Sequence, residues 1–173
     1  AQKLAAKVGS LPTGNGFDEG IVFGPLIDYA AVAKVSEHVS DATTKGAEVA
    51  LGGKPHALGG TFYEPTILTG VTSDMAIATE ETFGPVAPLF RFQTEAEVVA
   101  AANDTEFGLA SYFYSRDQAR VWRVSEALDF GMVGVNTGLI STAEAPFGGV
   151  KMSGLGREGS RHGLDDFLEI KYI

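Results

Sequence analysis

The chain has 173 residues, of which 45% are hydrophobic and 20% are charged, so it can bury one sizeable core and lacks a disordered composition. Its 13 Lys and Arg against 22 Asp and Glu give a formal net charge of −9, which argues against nucleic acid or an anionic membrane as a partner. Without an apolar run of about 18 residues or a charged-then-apolar leader, the sequence predicts one globular unit in the cytoplasm.

Cysteine is absent, which excludes disulfides, thiolate metal sites and thiol nucleophiles from this stretch. The three histidines, His38, His56 and His162, do not have the spacing of metal ligands. We interpret each of them as a surface or structural residue and predict no metal site.

Two helices are expected in the first part of the chain. Residues 1–8 favour a helix from the start with no N-cap ahead of them, which suggests the end of a longer helix. A glycine-rich connection follows over residues 10–27. Asp28 is a plausible N-cap for a helix that runs to about Lys45, with Gly46 as its stop.

Two extended segments follow this helix. Residues 47–51 have the composition of a short strand, and residues 62–68 that of a second one. Pro65 lies inside the second segment and has no backbone N–H, so we expect that segment at a sheet edge or in a loop.

A regular β-α-β-α-β alternation comes next, over residues 86–92, 94–103, 109–114, 117–128 and 132–136. Both helices begin with a predicted capping box, Thr94 with Glu97 and Ser115 with Gln118. Strands that alternate with helices predict an α/β fold with a doubly wound, mostly parallel sheet. Ligands bind beyond the carboxyl ends of such strands, so the loop of residues 137–153 is the expected substrate mouth.

The last residues, 165–173, alternate apolar and polar side chains and predict an extended tail. An unpaired terminal strand tends to add to another sheet.

Residues 80–85 read Glu-Glu-Thr-Phe-Gly-Pro and have the composition of a site loop. A carboxylate there can accept hydrogen bonds from paired hydroxyls such as those of a ribose, and Phe83 offers a flat apolar face. The alternative is a solvated acidic turn with one core aromatic.

A second motif covers residues 146–158, which read Pro-Phe-Gly-Gly-Val-Lys-Met-Ser-Gly-Leu-Gly-Arg-Glu. Residues 154–159 fit the dinucleotide fingerprint G-x-G-x-x-G, but a glycine-rich loop precedes them and no long helix can follow. We therefore assign these glycines to backbone geometry.

Together, the two motifs resemble signature blocks of the aldehyde dehydrogenase superfamily, in its order and spacing. Residues 136–141 and 167–172 are similar to the succinate-semialdehyde dehydrogenase subfamily. The resemblance covers essentially the whole chain and implies the C-terminal portion of an NAD(P)-dependent enzyme that oxidises succinate semialdehyde to succinate.

Several expectations follow from the resemblance. The cysteine nucleophile and the glutamate base would lie upstream of Ala1, so no catalytic residue is expected here and the isolated chain should be inactive. Residues 1–162 would be part of the catalytic domain, and residues 163–173 a tail strand that joins a neighbouring subunit in a homo-oligomer, a dimer or a tetramer.

The resemblance also assigns individual residues. Glu81 and Phe83 would bind the nicotinamide end of NAD or NADP, and Ser141 and Phe147 would line the pocket of a small-molecule aldehyde. Arg157 would form a structural ion pair with Glu169.

Two alternatives stay open on the sequence. One is an aldehyde dehydrogenase of other specificity, distinguished by residues 138–145. The other is a non-catalytic module that shares the fold.

Overall fold

A computed structural model describes residues 1–173, which divide into two units, Ala1–Arg91 and Phe92–Ile173. Both units combine helices with short strands. The two predicted motifs fall in different units, residues 80–85 in the first and residues 146–158 in the second.

The first unit contains three helices, α1 (Gln2–Gly9), α2 (Tyr29–Thr44) and α3 (Ala76–Thr79). The predicted cap of α2 is confirmed, because the Asp28 side chain accepts a hydrogen bond of 2.8 Å from the backbone N–H of Ala31. The buried face of α2 consists of Val35, His38, Val39 and Ala42.

The sheet of the first unit has the order β1 (Glu48–Leu51), β2 (Thr66–Thr69), β3 (Val86–Pro88). Strand β2 is antiparallel to β1 and parallel to β3, and its Ile67 and Leu68 are fully buried. The prediction of an edge or loop position was therefore wrong for residues 66–68, which lie in the central strand. Pro65 is tolerated because the strand begins one residue after it, so its missing N–H falls outside the ladder.

The core of the first unit forms between α2, the sheet and the segment before α3, from Val39, Ala42, Ala47, Leu68, Val71, Met75 and Ile77. Val39 and Ala42 of α2 pack in this core. Val35 and His38, which precede them on the same face of the helix, contact residues 80–85.

The second unit holds the helices α4 (Glu95–Asn103) and α5 (Gln118–Ala127) and the strands β4 (Phe107–Gly108), β5 (Ala110–Phe113), β6 (Met132–Val135) and β7 (Val150–Lys151). Strands β5 and β6 pair in parallel and β4 pairs antiparallel with β7. The predicted parallel crossover through α5 is therefore confirmed.

The helix caps of the second unit agree only in part with the sequence. Thr94 and Glu97 form the predicted capping box at α4. At α5 the predicted box of Ser115 and Gln118 is wrong, because Asp117 is the N-cap and its side chain accepts from the N–H of Arg120 at 3.1 Å.

Residues 1–173 thus form a mixed α/β structure with three small sheets rather than one doubly wound sheet. The alternation of the sequence predicted the parallel pair β5 and β6, but it did not predict that β3 pairs with β2.

The end of the chain differs from the predicted extended tail. A 3₁₀ helix, Arg161–Phe167, begins where the Ser160 hydroxyl accepts from the N–H of His162. Residues 168–173, which follow this helix, have no helical structure and pair with no strand.

None of the helices is both long enough and apolar enough to cross a membrane.

Candidate functional site

The first candidate site is the loop of residues 80–85, hereafter the acidic loop, which connects α3 to β3. Its backbone enters in extended conformation at Glu80, with φ −102° and ψ 133°. At its other end the Pro85 carbonyl accepts from the N–H of Thr66 at 2.8 Å, which joins the loop to the central strand. Both ends are therefore fixed by secondary structure.

Glu81 and Phe83 both project into solvent from this loop. Phe83 is 82% exposed, so the alternative of a core aromatic is wrong. Its φ of +47° is uncommon for an aromatic residue, which indicates a backbone held by its surroundings. Glu81 is exposed and its carboxylate makes no hydrogen bond within the chain, so it is free to accept bonds from hydroxyls, as a ribose would require.

Two contacts with α2 hold the acidic loop from behind. Gly84 lies directly over the buried Val35, so closely that an added Cβ would overlap the Val35 Cγ2. The His38 ring lies beside Thr82 and Glu80, with its Nδ1 3.0 Å from Thr82 Oγ1 and its Nε2 3.4 Å from Glu80 Oε2. From the sequence, His38 was expected to be a surface or structural residue without a specific role. The sequence did contain one indication of a buried role, because His38 follows Val35 by three positions and so lies on the apolar face of α2.

The second candidate site is the loop of residues 137–153, hereafter the mouth loop, which leaves the carboxyl end of β6. Asn136 begins it with φ +56°, and its side-chain amide bonds both the N–H and the carbonyl of Ser115, at 2.9 and 2.8 Å. This amide thereby joins the ends of the two parallel strands. Beyond it, the Thr137 hydroxyl bonds both the N–H and the carbonyl of Leu139 and closes a tight turn.

Ser141 lies exposed just after this turn. The turn that follows it is attached to the rest of the second unit through the backbone, since the N–H of Ser160 donates to the carbonyl of Ala143 at 2.8 Å. Gly159 lies against the same turn, with its missing Cβ position 3.1 Å from the Ala145 carbonyl oxygen. Ser141 is therefore a free hydroxyl on a backbone that is fixed nearby.

Phe147 is half-buried and held by two backbone hydrogen bonds of 2.8 Å to Glu158. Its side chain lines a cavity of about 350 Å³ together with the glycine-rich turn and the 3₁₀ helix. Arg157 is part of the same wall.

Arg157 acts as a cross-link inside this wall. Its Nη1 donates to the carbonyls of Gly149 and Gly156, both at 2.7 Å, and its backbone N–H donates to Asp166 at 2.8 Å. Glu169 is exposed and forms no ion pair within the chain. The predicted pair of Arg157 with Glu169 stays a prediction for an assembled enzyme.

The glycines that match the dinucleotide fingerprint serve backbone geometry. Gly154, Gly156 and Gly159 all have positive φ, of +96°, +87° and +71°. The element before them is the two-residue strand β7 and the one after them is the 3₁₀ helix. These neighbours differ from the strand and long helix that flank a dinucleotide fingerprint, which supports the assignment of the glycines to backbone geometry.

Glu95 and Asp41 have carboxyl groups with a lowered pKa, and both groups join helices to each other rather than holding either loop. Hydrogen bonds from Arg123 and Arg120 lower the pKa of Glu95 to about 2 and join α4 to α5. A hydrogen bond from Lys45, followed by one from the N–H of Ala76, lowers the pKa of Asp41 and joins α2 to α3. The described residues contain no group of three or more potential metal ligands.

Comparison with known proteins places these loops in context. The aldehyde dehydrogenase family model matches residues 1–173. Glutarate-semialdehyde dehydrogenase of Pseudomonas aeruginosa is 65% identical over 171 residues, which are 99% of this chain and 35% of that protein. 3-Sulfolactaldehyde dehydrogenase of Pseudomonas putida is 65% identical over 173 residues, 100% of this chain and 36% of that protein.

A solved structure agrees with these relatives. The crystal structure of succinate-semialdehyde dehydrogenase from Burkholderia pseudomallei superposes with a TM-score of 0.97 at 64% identity, over 99% of this chain and 36% of that one. The chain thus spans about a third of the length of the proteins it matches. Since the family model extends over every residue, the chain belongs to the aldehyde dehydrogenase family.

Proposed function

We propose that residues 1–173 are the C-terminal portion of an NAD(P)-dependent dehydrogenase that oxidises a semialdehyde with a distal anionic group, with succinate semialdehyde as the preferred substrate. The observation that carries this proposal is the set of names among relatives at about 65% identity. Glutarate semialdehyde and succinate semialdehyde carry a distal carboxylate, and 3-sulfolactaldehyde carries a sulfonate. All three substrates combine an aldehyde with an anion.

The acidic loop supports a role in binding the cofactor. Among matched family members, one is named for NADP⁺ and another was solved with NAD⁺. The free carboxylate of Glu81 suits the hydroxyls of the nicotinamide ribose, and the exposed ring of Phe83 suits a planar neighbour. When bound, NAD or NADP would supply the hydride acceptor.

The catalytic groups of the proposed reaction are not among these residues. In the family, a cysteine thiolate attacks the aldehyde carbon and a glutamate activates the water that hydrolyses the resulting thioester. The sequence contains no cysteine. We therefore propose that this stretch binds and orients, and that the isolated 173 residues do not oxidise aldehydes.

The mouth loop supports the substrate assignment. Ser141 offers an unpaired hydroxyl donor to a distal carboxylate, and Phe147 presents an apolar wall to the carbon chain. Glutarate semialdehyde is longer than succinate semialdehyde by one methylene, and such a difference discriminates by only about 1–3 kcal/mol in an apolar pocket. Activity with both substrates is expected.

The deciding experiment replaces Ser141 by Ala in the full-length enzyme and compares kcat/KM for succinate semialdehyde, glutarate semialdehyde and butanal. Loss of one donor to a carboxylate should cost roughly 1.5–3 kcal/mol for the two anionic substrates and little for butanal. Thr142→Ala is the matched control, because it removes an exposed hydroxyl one residue away. Equal changes for all three substrates would leave an aldehyde dehydrogenase of other specificity.

We also retain the predicted organisation as a proposal. Residues 1–162 would belong to a catalytic domain whose doubly wound sheet is completed by strands outside this stretch. The tail of residues 163–173 would pair with a neighbouring subunit of a cytoplasmic homo-oligomer, because its apolar Ile170, Tyr172 and Ile173 are fully exposed in the single chain. Sedimentation of the full-length enzyme with and without residues 168–173 tests this role. A non-catalytic module would show no turnover in any of these assays.

A further inference from the structure

His38 bridges the two residues that flank Glu81. It lies on α2 and is only 2% exposed, yet both of its ring nitrogens meet the acidic loop. Nδ1 is 3.0 Å from the Thr82 hydroxyl, and Nε2 is 3.4 Å from a carboxylate oxygen of Glu80. One side chain therefore contacts the residue before and the residue after the proposed ribose ligand.

The direction of the Glu81 side chain follows from this arrangement. Along residues 80–83 the contacts alternate, since Glu80 and Thr82 meet His38 whereas Glu81 and Phe83 are exposed. The carboxylate of Glu81 therefore lies on the solvent side, while the side chains of its two neighbours contact His38. The ring of His38 thus determines the side from which the Glu81 carboxylate projects.

The chemistry of the contact requires more than apolar packing. The ring offers one nitrogen to each neighbour, with Nδ1 at hydrogen-bond distance from the Thr82 hydroxyl and Nε2 3.4 Å from a carboxylate oxygen of Glu80. The Thr82 hydroxyl can either donate to Nδ1 or accept from it. A phenyl ring would fill the same space without either polar contact. The nitrogens of His38 therefore provide polar contacts to the loop that a hydrocarbon ring of the same size could not provide.

We propose that His38 is a positioning residue for the nicotinamide end of the cofactor, acting through the acidic loop. This inference rests on the proposed function. His38 touches neither cofactor nor substrate in this role. It holds residues 80 and 82 against α2 so that Glu81 is presented in one orientation.

The test uses His38→Phe and Thr82→Val in the full-length enzyme. The first keeps an aromatic ring without its nitrogens, and the second keeps the shape of threonine without its hydroxyl, so the second remains informative if the first folds poorly. Hydrogen exchange of the cofactor-free proteins, read by mass spectrometry, should rise in residues 78–85 and stay unchanged in β2.

Kinetic readouts separate positioning from a merely structural role. Single-turnover hydride transfer should fall by about tenfold in His38→Phe, in line with the loss of the hydrogen bond to Thr82 and the contact with Glu80, while the cofactor Kd changes by less than about threefold. In a Glu81→Gln background the same substitution should cause no further loss. Val39→Ala is the matched control, since it weakens the core from the same helix without touching the loop.

A wild-type rate of hydride transfer in folded His38→Phe or Thr82→Val enzyme would overturn the positioning role, and so would an equal loss in Val39→Ala. An additional loss in the Glu81→Gln background would show that His38 acts by another route. If the unmodified enzyme reduced neither NAD⁺ nor NADP⁺ with any semialdehyde, the proposed function itself would fail. The exchange measurement would then still report whether His38 holds the loop.

Discussion

Replacing Gly84 by Ala is expected to displace the acidic loop by a steric route alone. Gly84 does not have a positive φ, so the substitution introduces no backbone strain. Its new Cβ would instead overlap Cγ2 of Val35, while Leu26 would lie at an ordinary contact distance of 3.8 Å. Val35 is completely buried and β-branched, so it cannot rotate aside. Overpacking of this kind costs typically about 1–3 kcal/mol.

The loop is expected to absorb most of this overlap, because its Glu81 and Phe83 are exposed while Val35 lies in a packed helix face. Gly84→Ala should therefore lower single-turnover hydride transfer by about tenfold, since small misplacements of positioning groups have large effects on rate. The assay is stopped-flow formation of the reduced cofactor in the full-length enzyme, with melting temperature measured in parallel.

Val35→Ala provides the matched compensation. Alone it leaves a small cavity, but combined with Gly84→Ala it vacates the space that the new methyl group needs. The double variant should recover stability and rate relative to Gly84→Ala, with a coupling free energy of about 1 kcal/mol or more. Additive losses, or a wild-type rate for Gly84→Ala alone, would refute the packing of the loop on α2.

Three further outcomes are expected. Glu81→Gln should slow hydride transfer more than it weakens cofactor binding, because the charge-assisted bonds at stake contribute about 1.5–3 kcal/mol; single-turnover rates and fluorescence titration measure the two effects. Arg157→Met should lower the melting temperature by removing the bonds to two carbonyls, whereas a comparable fall for Glu169→Gln would support the predicted ion pair. Glu95 should stabilise α4 against α5 above pH 4.5 and lose this effect as the pH falls towards its folded-state pKa of about 2, since a lowered pKa means that the ionised form is favoured by folding. The melting-temperature difference between wild type and Glu95→Gln should accordingly shrink over that interval.

Local chemistry predicted most elements correctly, and long-range contacts account for the errors. The cap of α2 and the capping box of α4 depend on residues within three positions of each other, so the sequence contains all that they require. Ser115 was mistaken for a cap because its backbone is bonded to Asn136, 21 positions away, which leaves Asp117 to cap α5. No local pattern contains that contact.

The same distinction applies to the candidate sites. The acidic loop and the mouth loop were recognisable because their unusual residues are contiguous in the sequence. The residues that hold them were not recognisable in that way. His38 contacts Thr82 from 44 positions away, and Ser160 bonds Ala143 from 17 positions away. Residues 165–167 differ from the predicted extended tail because they belong to a 3₁₀ helix, while the pairing of the tail with a neighbouring subunit stays a prediction.

The two loops are held in different ways, and this difference predicts how each tolerates mutation. In the acidic loop, alternate side chains face α2 while Glu81 and Phe83 face solvent, so anchoring and candidate function are divided between neighbouring residues. In the mouth loop the anchors are the side-chain bonds of Asn136 and Thr137 and the backbone bond of Ser160 to Ala143, none of which depends on the side chain at position 141.

Ordering the backbone of one residue costs about 1–2 kcal/mol, so exposed side chains can be presented in a fixed place only if other contacts offset that cost. For Ser141 these contacts survive any side-chain substitution that preserves the backbone. For Glu81 they depend on the side chains of its neighbours. The substrate end of the proposed enzyme should therefore accept changes of specificity more readily than the cofactor end accepts changes in residues 80–85.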